Sequence, residues 1–202
     1  MADPRADELA RITDAIGGAD GAAFVIVGDA GIGKTTLLNA VAREARARGT
    51  AVLGTRWSDD AGASPMWPWS RLVRDFVATH GAQALAEGHP LVRRLAEDVA
   101  AAAGLALPDP PADELAGRYA IGDGVGRLGG RAAPAVVLLE DLHYGSPANV
   151  APLEPFAAAA IGMGAVVVAT TRHAAGRRRR QRGVPSRAGH GRERSAVAAR
   201  AC

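Results

Sequence analysis

The sequence predicts an α/β fold in which a parallel sheet lies between two layers of helices. Short, uninterrupted apolar runs recur along the chain, and segments with apolar residues at helical spacing separate them. Such runs are typical of parallel strands buried on both faces, and the crossovers between parallel strands are usually helical. We therefore expect a three-layer sandwich over residues 1–172 and a segment of different character after it.

The first strand, loop and helix form the most specific unit of the chain. Residues 23–27 are a short apolar run, and Leu38, Val41 and Ala45 recur at helical spacing after the loop. The loop between them fits the pattern G-x-x-x-x-G-K-[ST], which cradles phosphates. Its eight residues are Gly28, Asp29, Ala30, Gly31, Ile32, Gly33, Lys34 and Thr35. This unit predicts binding of a nucleoside triphosphate.

The residue types of the loop suit this chemistry. Its glycines let backbone amides point at phosphate oxygens, and the helix beginning near Lys34 adds its positive dipole end. Lys34 would bridge the β- and γ-phosphates, Thr35 would ligate Mg2+, and Thr36 would help to hold the α-phosphate. Of the 24 basic residues, Lys34 is the only lysine, at a place where the fork of arginine is a poor substitute.

The other elements follow from local patterns, in chain order. Leu9, Ile12 and Ile16 mark a short helix before the first strand. The later elements are a strand over 50–55, a helix over 68–79, a helix through Leu91, Leu95 and Val99, a helix over 113–128, a strand over 135–139, a helix after Ser146 broken by prolines, and a strand over 165–170.

Glycines make the segment 113–128 the weakest of the predicted helices. Gly117, Gly122, Gly124 and Gly126 each cost about 1 kcal/mol relative to alanine in a helix. We expect this segment to be weak or mobile. Residues 124–129 also fit G-x-G-x-x-G, but no strand precedes them, so we assign them no cofactor role.

Two carboxylates follow the strand over 135–139. Glu140 and Asp141 would then lie at the carboxyl edge of the sheet, where ligands of such sheets bind. One acid would hold Mg2+ and the other would orient the attacking water. Arg172, at the end of the last strand, could either contact the γ-phosphate or remain a solvated arginine.

Charge divides the chain into two parts. Residues 1–172 carry 15 basic and 20 acidic side chains, whereas 173–202 carry nine arginines and one glutamate. The second part has almost no large apolar residue, so we predict a disordered basic tail after the core. No apolar run reaches the roughly 18 residues of a membrane span, and the polar N-terminus does not resemble a signal peptide, which favours the cytoplasm.

The constellation resembles a known family. The phosphate loop, the WPW of 67–69, the VLLEDLHY of 137–144 and the VATTR of 168–172 occur in the order found in the ATPase domain of large LuxR-type bacterial regulators. These regulators belong to the signal-transducing P-loop ATPases called STAND, which share an AAA-like core. The resemblance covers about residues 5–172, with Tyr144 as a departure from the usual tryptophan.

The resemblance implies a P-loop NTPase sandwich that binds ATP and Mg2+ and acts as a switch. Residues 28–36 would bind ATP, Glu140 and Asp141 would be the Walker B acids, and Arg172 would sense the γ-phosphate. His143 would pack against or position the acids. Trp67 and Trp69 could line a nucleotide or partner surface, although we favour core positions for both. Protein partners or self-association are also implied.

The chain departs from this family after Arg172. The family's helical lid, winged helix, repeat array and DNA-binding domain are not encoded here, and we hypothesise that 173–202 result from a frameshift or truncation. The fold would be incomplete at its C-terminal side, because the family's fifth strand flanks the phosphate-loop strand. We expect its loss to expose residues 23–27 as a sheet edge.

The sequence leaves several functions open. The first is a signalling core that binds ATP with weak or absent hydrolysis. The alternatives are a free-standing P-loop ATPase or kinase, and a protein that binds nucleic acid nonspecifically through the basic tail.

Overall fold

A computed structural model describes residues 4–18, 20–58, 66–132, 135–172 and, for the backbone, 196–200. Its α-helices are α1 (Pro4–Asp14), α2 (Lys34–Ala47), α3 (Trp67–His80), α4 (Glu97–Ala102), α5 (Glu114–Arg131), α6 (Pro147–Val150) and α7 (Leu153–Gly162). Its strands are β1 (Ala22–Val27), β2 (Ala51–Arg56), β3 (Ala135–Glu140), β4 (Val166–Thr171) and β5 (Ala196–Arg200). Short 3-10 helices span Ala82–Ala86, Pro90–Ala96 and Leu142–Tyr144.

The strands form one sheet in the order β2-β3-β4-β1-β5. The first four are mutually parallel, and β5 runs antiparallel to β1. Arg56 at the end of β2 is in register with Glu140 at the end of β3, and Val27 at the end of β1 is in register with Thr171. The predicted α/β fold with a parallel sheet is confirmed, and the polar residues after β1, β3 and β4 share one edge.

Helices cover both faces of the sheet because successive strand residues point to opposite sides. Phe24, Ile26, Val136, Val166 and Val168 pack with the apolar stripes of α1 and α2. The other face carries the larger core, in which strand residues pack with α3, α5 and α7. The strand residues of this second core are Leu53, Val137, Leu139, Val167 and Ala169. Three layers result, as the sequence predicts.

The glycine-rich segment is a continuous helix, so the expectation that it would be weak was wrong. α5 spans 18 residues, from Glu114 to Arg131, and most of its glycines are buried. A Cβ at Gly122 would lie 2.3 Å from the Pro152 carbonyl oxygen, and one at Gly126 would lie 2.4 Å from that of Phe156. The glycines therefore allow α5 to approach α7 closely, and that packing offsets their poor helix propensity.

The outer edge of β1 is covered in the structure, which corrects the expectation of an exposed edge. Residues 196–200, from the segment predicted to be a disordered tail, form β5 and pair antiparallel with β1 over residues 23–27. The rest of that segment, residues 173–195 and 201–202, lies outside the described residues. The hypothesis of a frameshift or truncation remains a prediction.

Other elements lie close to where the sequence places them. Each predicted strand of the core is found to within one residue at either end. Pro152 does interrupt the last helical segment, which divides into α6 and α7, whereas Pro155 lies in the first turn of α7, where a proline is tolerated. The predicted helix through Leu91, Leu95 and Val99 begins as a 3-10 helix and becomes α4 only at Glu97. Within the described residues, no helix has the length and apolar character that crossing a bilayer requires.

Candidate functional site

The phosphate-loop residues connect β1 to α2 in a conformation that only glycine adopts easily. Gly31 and Gly33 have φ angles of 77° and 89°, in the left-handed region. Gly33 is the N-cap of α2, and no side chain caps that helix end. The first turn of α2 also contains no acidic residue. Its amides and dipole are therefore available to an anion.

Lys34 folds back over the loop that precedes it. Its Nζ donates hydrogen bonds to the Gly28 carbonyl oxygen at 2.7 Å and to the Asp29 carbonyl oxygen at 2.8 Å. The residue is buried, with 9% relative exposure. A buried ammonium is tolerated only when its donors are satisfied, so the carbonyls fix this charge at the mouth of the loop.

The other predicted loop residues are more accessible. Asp29, Ala30 and Gly31 are exposed at the tip of the loop, and Ile32 is half-buried. Thr35 and Thr36 are exposed in the first turn of α2. The Gly28 amide donates to the Thr171 carbonyl oxygen at 3.3 Å, which ties the loop to the end of β4.

Thr35 and Glu140 are in direct contact. The Thr35 hydroxyl donates a hydrogen bond to Glu140 Oε1, across the gap between α2 and the end of β3. The Glu140 side chain is mostly covered, with 17% exposure. A hydroxyl and a carboxylate oxygen side by side are the ligand types that Mg2+ prefers.

Asp141 has a strained backbone. Its φ of 61° is the only positive value at a non-glycine residue within the described part of the chain. Its amide donates to the Thr170 hydroxyl oxygen at 2.9 Å, and Thr170 is fully buried. Left-handed residues of this kind cluster at functional sites. The hydrogen bond from β4 thus holds Asp141 in a conformation that directs the chain out of the sheet.

Arg56 is a site residue that the sequence analysis missed. Its guanidinium contacts Glu140 Oε2, at 2.6 Å from Nη2, and its Nε lies 3.7 Å from Asp141 Oδ2. The hydrogen bond to Glu140 raises the pKa of Arg56, although partial burial opposes this. The signal was present in the sequence, since Arg56 directly follows a predicted strand and adjacent parallel strands end at one edge.

Arg5 is a second missed residue, and it lies on α1. A Cβ placed on Gly33 would lie 2.5 Å from Arg5 Nη1 and 2.7 Å from its Cζ. The guanidinium therefore packs against the phosphate loop at the start of α2, about 28 positions away in sequence. No local pattern could predict this proximity, because it depends on how α1 packs across α2.

The Arg172 side chain makes its described contacts with Tyr144. Its Nη2 lies 3.4 Å from the Tyr144 hydroxyl, and its Cζ is 5.6 Å from the centre of the ring. The His143 ring packs at a tilt of 37° against the same tyrosine, with ring centroids 4.1 Å apart, and its Nδ1 is 3.9 Å from Asp141 Oδ1. The structure thus brings Arg172 to the edge that carries the acids, alongside Tyr144.

The two tryptophans of the WPW segment have different environments. Trp69 is fully buried, donates from Nε1 to the Asn149 carbonyl oxygen at 2.8 Å, and packs edge-on against Trp57 and Phe156. Trp67 is 42% exposed. The expectation of a core residue is correct for Trp69 and wrong for Trp67, because only every third or fourth helical position can face the core.

A comparison with protein families identifies the domain that carries these residues. A family model described as an AAA ATPase domain matches residues 4–168. The chain belongs to the AAA ATPase domain family. A search of curated proteins found no match to the chain. The match includes α1 with Arg5, the phosphate loop and both acids, and ends before Arg172. An AAA ATPase domain is a nucleotide-binding module, usually with Mg2+.

The residues of this AAA ATPase domain fit a magnesium nucleotide. The uncapped start of α2, the satisfied ammonium of Lys34 and the guanidinium of Arg5 place positive charge at one loop. The Thr35 and Glu140 oxygens lie beside it as hard ligands for the cation. Such an arrangement can neutralise phosphates on one side and hold a metal ion on the other.

Proposed function

We propose that this AAA ATPase domain binds MgATP at the loop of residues 28–36 and acts as a regulatory nucleotide switch. The observation that carries the proposal is the contact between Thr35 and Glu140 beside the phosphate loop. A phosphate loop alone would indicate any nucleotide or anion, whereas a hydroxyl paired with a carboxylate indicates a metal-bound triphosphate. Lys34 would reach the β- and γ-phosphates, and Thr36 would lie by the α-phosphate.

The two acids have different places in this proposal. Glu140 contacts Thr35 and would share the Mg2+ with it, directly or through water. Asp141 lies one residue farther from the strand and would orient the attacking water. Bound Mg2+ would supply charge neutralisation between the phosphates. The contact with Thr35 supports the assignment of Glu140 to the metal ion, which leaves Asp141 to orient the water.

Slow or absent hydrolysis is part of the proposal. Arg56 contacts Glu140 and lies near Asp141. The positive charge of this one guanidinium therefore partly neutralises both carboxylates. The described contacts of Arg172 are with Tyr144. Hydrolysis would require both arginines to move relative to the acids and the γ-phosphate. Binding requires neither movement, which favours a switch over a fast ATPase.

The regulatory context is proposed from the sequence resemblance. We infer that the domain is of the STAND type and serves a LuxR-type transcriptional regulator in the cytoplasm. Binding of the triphosphate would change how the domain packs against partner proteins or a second copy.

The proposed site can be tested through its lysine. An ATP derivative with an acyl group on its terminal phosphate transfers that acyl group to a nearby amine. Lys34 is the only lysine of the chain, so mass spectrometry of the labelled peptides gives an unambiguous position. We expect acylation of Lys34 that MgATP suppresses and adenosine does not. Label confined to the N-terminal amine, or insensitive to MgATP, would contradict the proposal.

Arg5 provides a prediction that depends on the packing of α1. Arg5→Ala should weaken MgATP binding by about 1–2 kcal/mol, or roughly 5- to 30-fold, because a guanidinium near the loop is lost. Titration calorimetry measures the change. Arg11→Ala is the matched control, since Arg11 is exposed on the same helix. Equal affinities of the two variants would show that Arg5 does not serve the phosphates.

A further inference from the structure

A second concave site lies next to the phosphate-loop site, between α2, α3 and the end of β2. Its volume is about 270 Å3, and we call it the α2–α3 pocket. Gly54 forms part of its wall, and its polar and aromatic lining residues are Asn39, Thr55, Arg56, Trp67, Arg71 and Glu140. Residues 28–35 do not line it, so it is distinct from the nucleotide cradle.

The geometry of α2 explains why the two sites are neighbours. Asn39 follows Thr35 by one helical turn on the same face, and Glu140, which contacts Thr35, lines the pocket together with Asn39. The Thr35 side of Glu140 belongs to the proposed metal site. The pocket extends from the other side of this carboxylate toward Arg56 and α3.

The exposure of Trp67 is the first indication that the pocket binds a ligand. The chain has three tryptophans, and the other two, Trp57 and Trp69, are 1% and 0% exposed. Trp67 is 42% exposed and lies on the pocket wall. An exposed tryptophan in a concave site offers a flat apolar surface that a ring or aliphatic group can cover.

Two guanidinium groups flank this ring. Arg71 lies four residues after Trp67, on the same face of α3, and Arg56 comes from the end of β2. Their side chains are 57% and 53% exposed, so a ligand can reach them. Arg56 also pairs with Glu140, whereas within the described residues the ion pair of Arg71 is a 3.5 Å contact with Asp75 on its own helix. Arg71 is therefore the better placed of the two to bind an added anion.

Gly54 keeps the pocket open. A Cβ at this position would have nothing closer than the Leu138 carbonyl oxygen at 3.8 Å. The strand would accommodate a larger side chain without a clash, and a β-branched residue would suit it better. The absence of a side chain here therefore leaves free space beside Trp67 and Arg71.

From these features we propose that the α2–α3 pocket binds a small carboxylate carrying a flat aromatic or apolar group. Guanidinium groups bind carboxylates through paired hydrogen bonds, and Trp67 would cover the apolar part. Arg56 already pairs with Glu140, so Arg71 is the main guanidinium open to an added anion, and one guanidinium suits a monoanion better than a phosphate dianion. The pocket is large enough for a single aromatic ring with its carboxylate.

Tryptophan fluorescence of the full chain can test this proposal, with benzoate as the probe. We expect a saturable change in emission with benzoate and binding weaker by about tenfold or more with benzamide, which has the same shape without the charge. Phenyl phosphate should also bind more weakly than benzoate. Trp67→Phe should remove the signal, because the other two tryptophans are buried.

Two variants and one control locate the site. Arg71→Gln should weaken benzoate binding about tenfold, and Gly54→Val should also weaken it, because the added side chain occupies part of the pocket. Arg127→Gln is the matched control, since this arginine is also exposed and in an i,i+4 pair, with Asp123 on α5. Arg56 is left unchanged because its replacement would also alter Glu140.

Several outcomes would overturn the proposal. A linear, unsaturable change with benzoate would mean collisional quenching only. Equal binding of benzamide would remove the carboxylate requirement, and tighter binding of phenyl phosphate would reassign the pocket to phosphates. Unchanged affinity in Arg71→Gln would place the ligand elsewhere, even if Gly54→Val failed to fold. The proposal does not depend on nucleotide binding, and Lys34→Ala should bind benzoate like the parent.

Discussion

Replacing Lys34 with alanine should lower the affinity for MgATP by at least about 100-fold, equivalent to about 3 kcal/mol. The ammonium is fixed at the mouth of the phosphate loop by the carbonyls of Gly28 and Asp29. In the bound state it would exchange these acceptors for phosphate oxygens, which carry more charge. Alanine can make neither interaction. Titration calorimetry with ATP and Mg2+ measures the loss.

Charge alone should not restore this affinity. Lys34→Arg keeps the charge, but the planar guanidinium is too wide to occupy the place of a compact ammonium between two phosphates. We expect it to bind MgATP nearly as poorly as Lys34→Ala. Arg46→Ala, which removes an exposed cation near the other end of the same helix, should bind like the parent. Parent-like affinity in Lys34→Ala, with an unchanged unfolding transition, would refute the proposed nucleotide site.

The sequence was sufficient to predict the elements whose pattern is local. The apolar runs of β1, β2, β3 and β4 are short, β-branched and bounded by turns, so their positions follow from period and composition alone. The loop before α2 could also be predicted, because its fixed spacing of glycine, lysine and threonine is typical of phosphate binding. The strand pattern and the loop pattern together predict where the carboxyl edge of the sheet lies and which loop lies beside it.

The errors arise where one element depends on another. Arg5 reaches Gly33 through the packing of α1, and Trp67 is exposed only because of how α3 is rotated. β5 pairs with β1 from a segment whose composition suggested disorder. Arg56 is the exception, since its register with Glu140 could have been read from two predicted strand ends.

The close packing of the α5 glycines leads to a strong stability prediction. Gly122→Ala should lower the free energy of unfolding by about 2–3 kcal/mol. The new Cβ would lie 2.3 Å from the Pro152 carbonyl oxygen and 2.9 Å from its Cα, so backbone must move between α6 and α7. The gain in helix propensity, about 1 kcal/mol, offsets only part of this cost. Urea unfolding followed by circular dichroism measures the change.

Gly129 is the matched control within the same helix. A Cβ there would lie 3.6 Å from Val137 Cγ2 and 3.9 Å from Leu53 Cδ1, which are ordinary contacts. Gly129→Ala should therefore keep the propensity gain and be as stable as the parent or more stable by up to about 1 kcal/mol. If both variants were stabilised, the glycines would be incidental and α5 would not pack closely against the α6–α7 segment. Opposite signs at two glycines of one helix would instead show that close packing with this segment, rather than intrinsic propensity, determines the stability of α5.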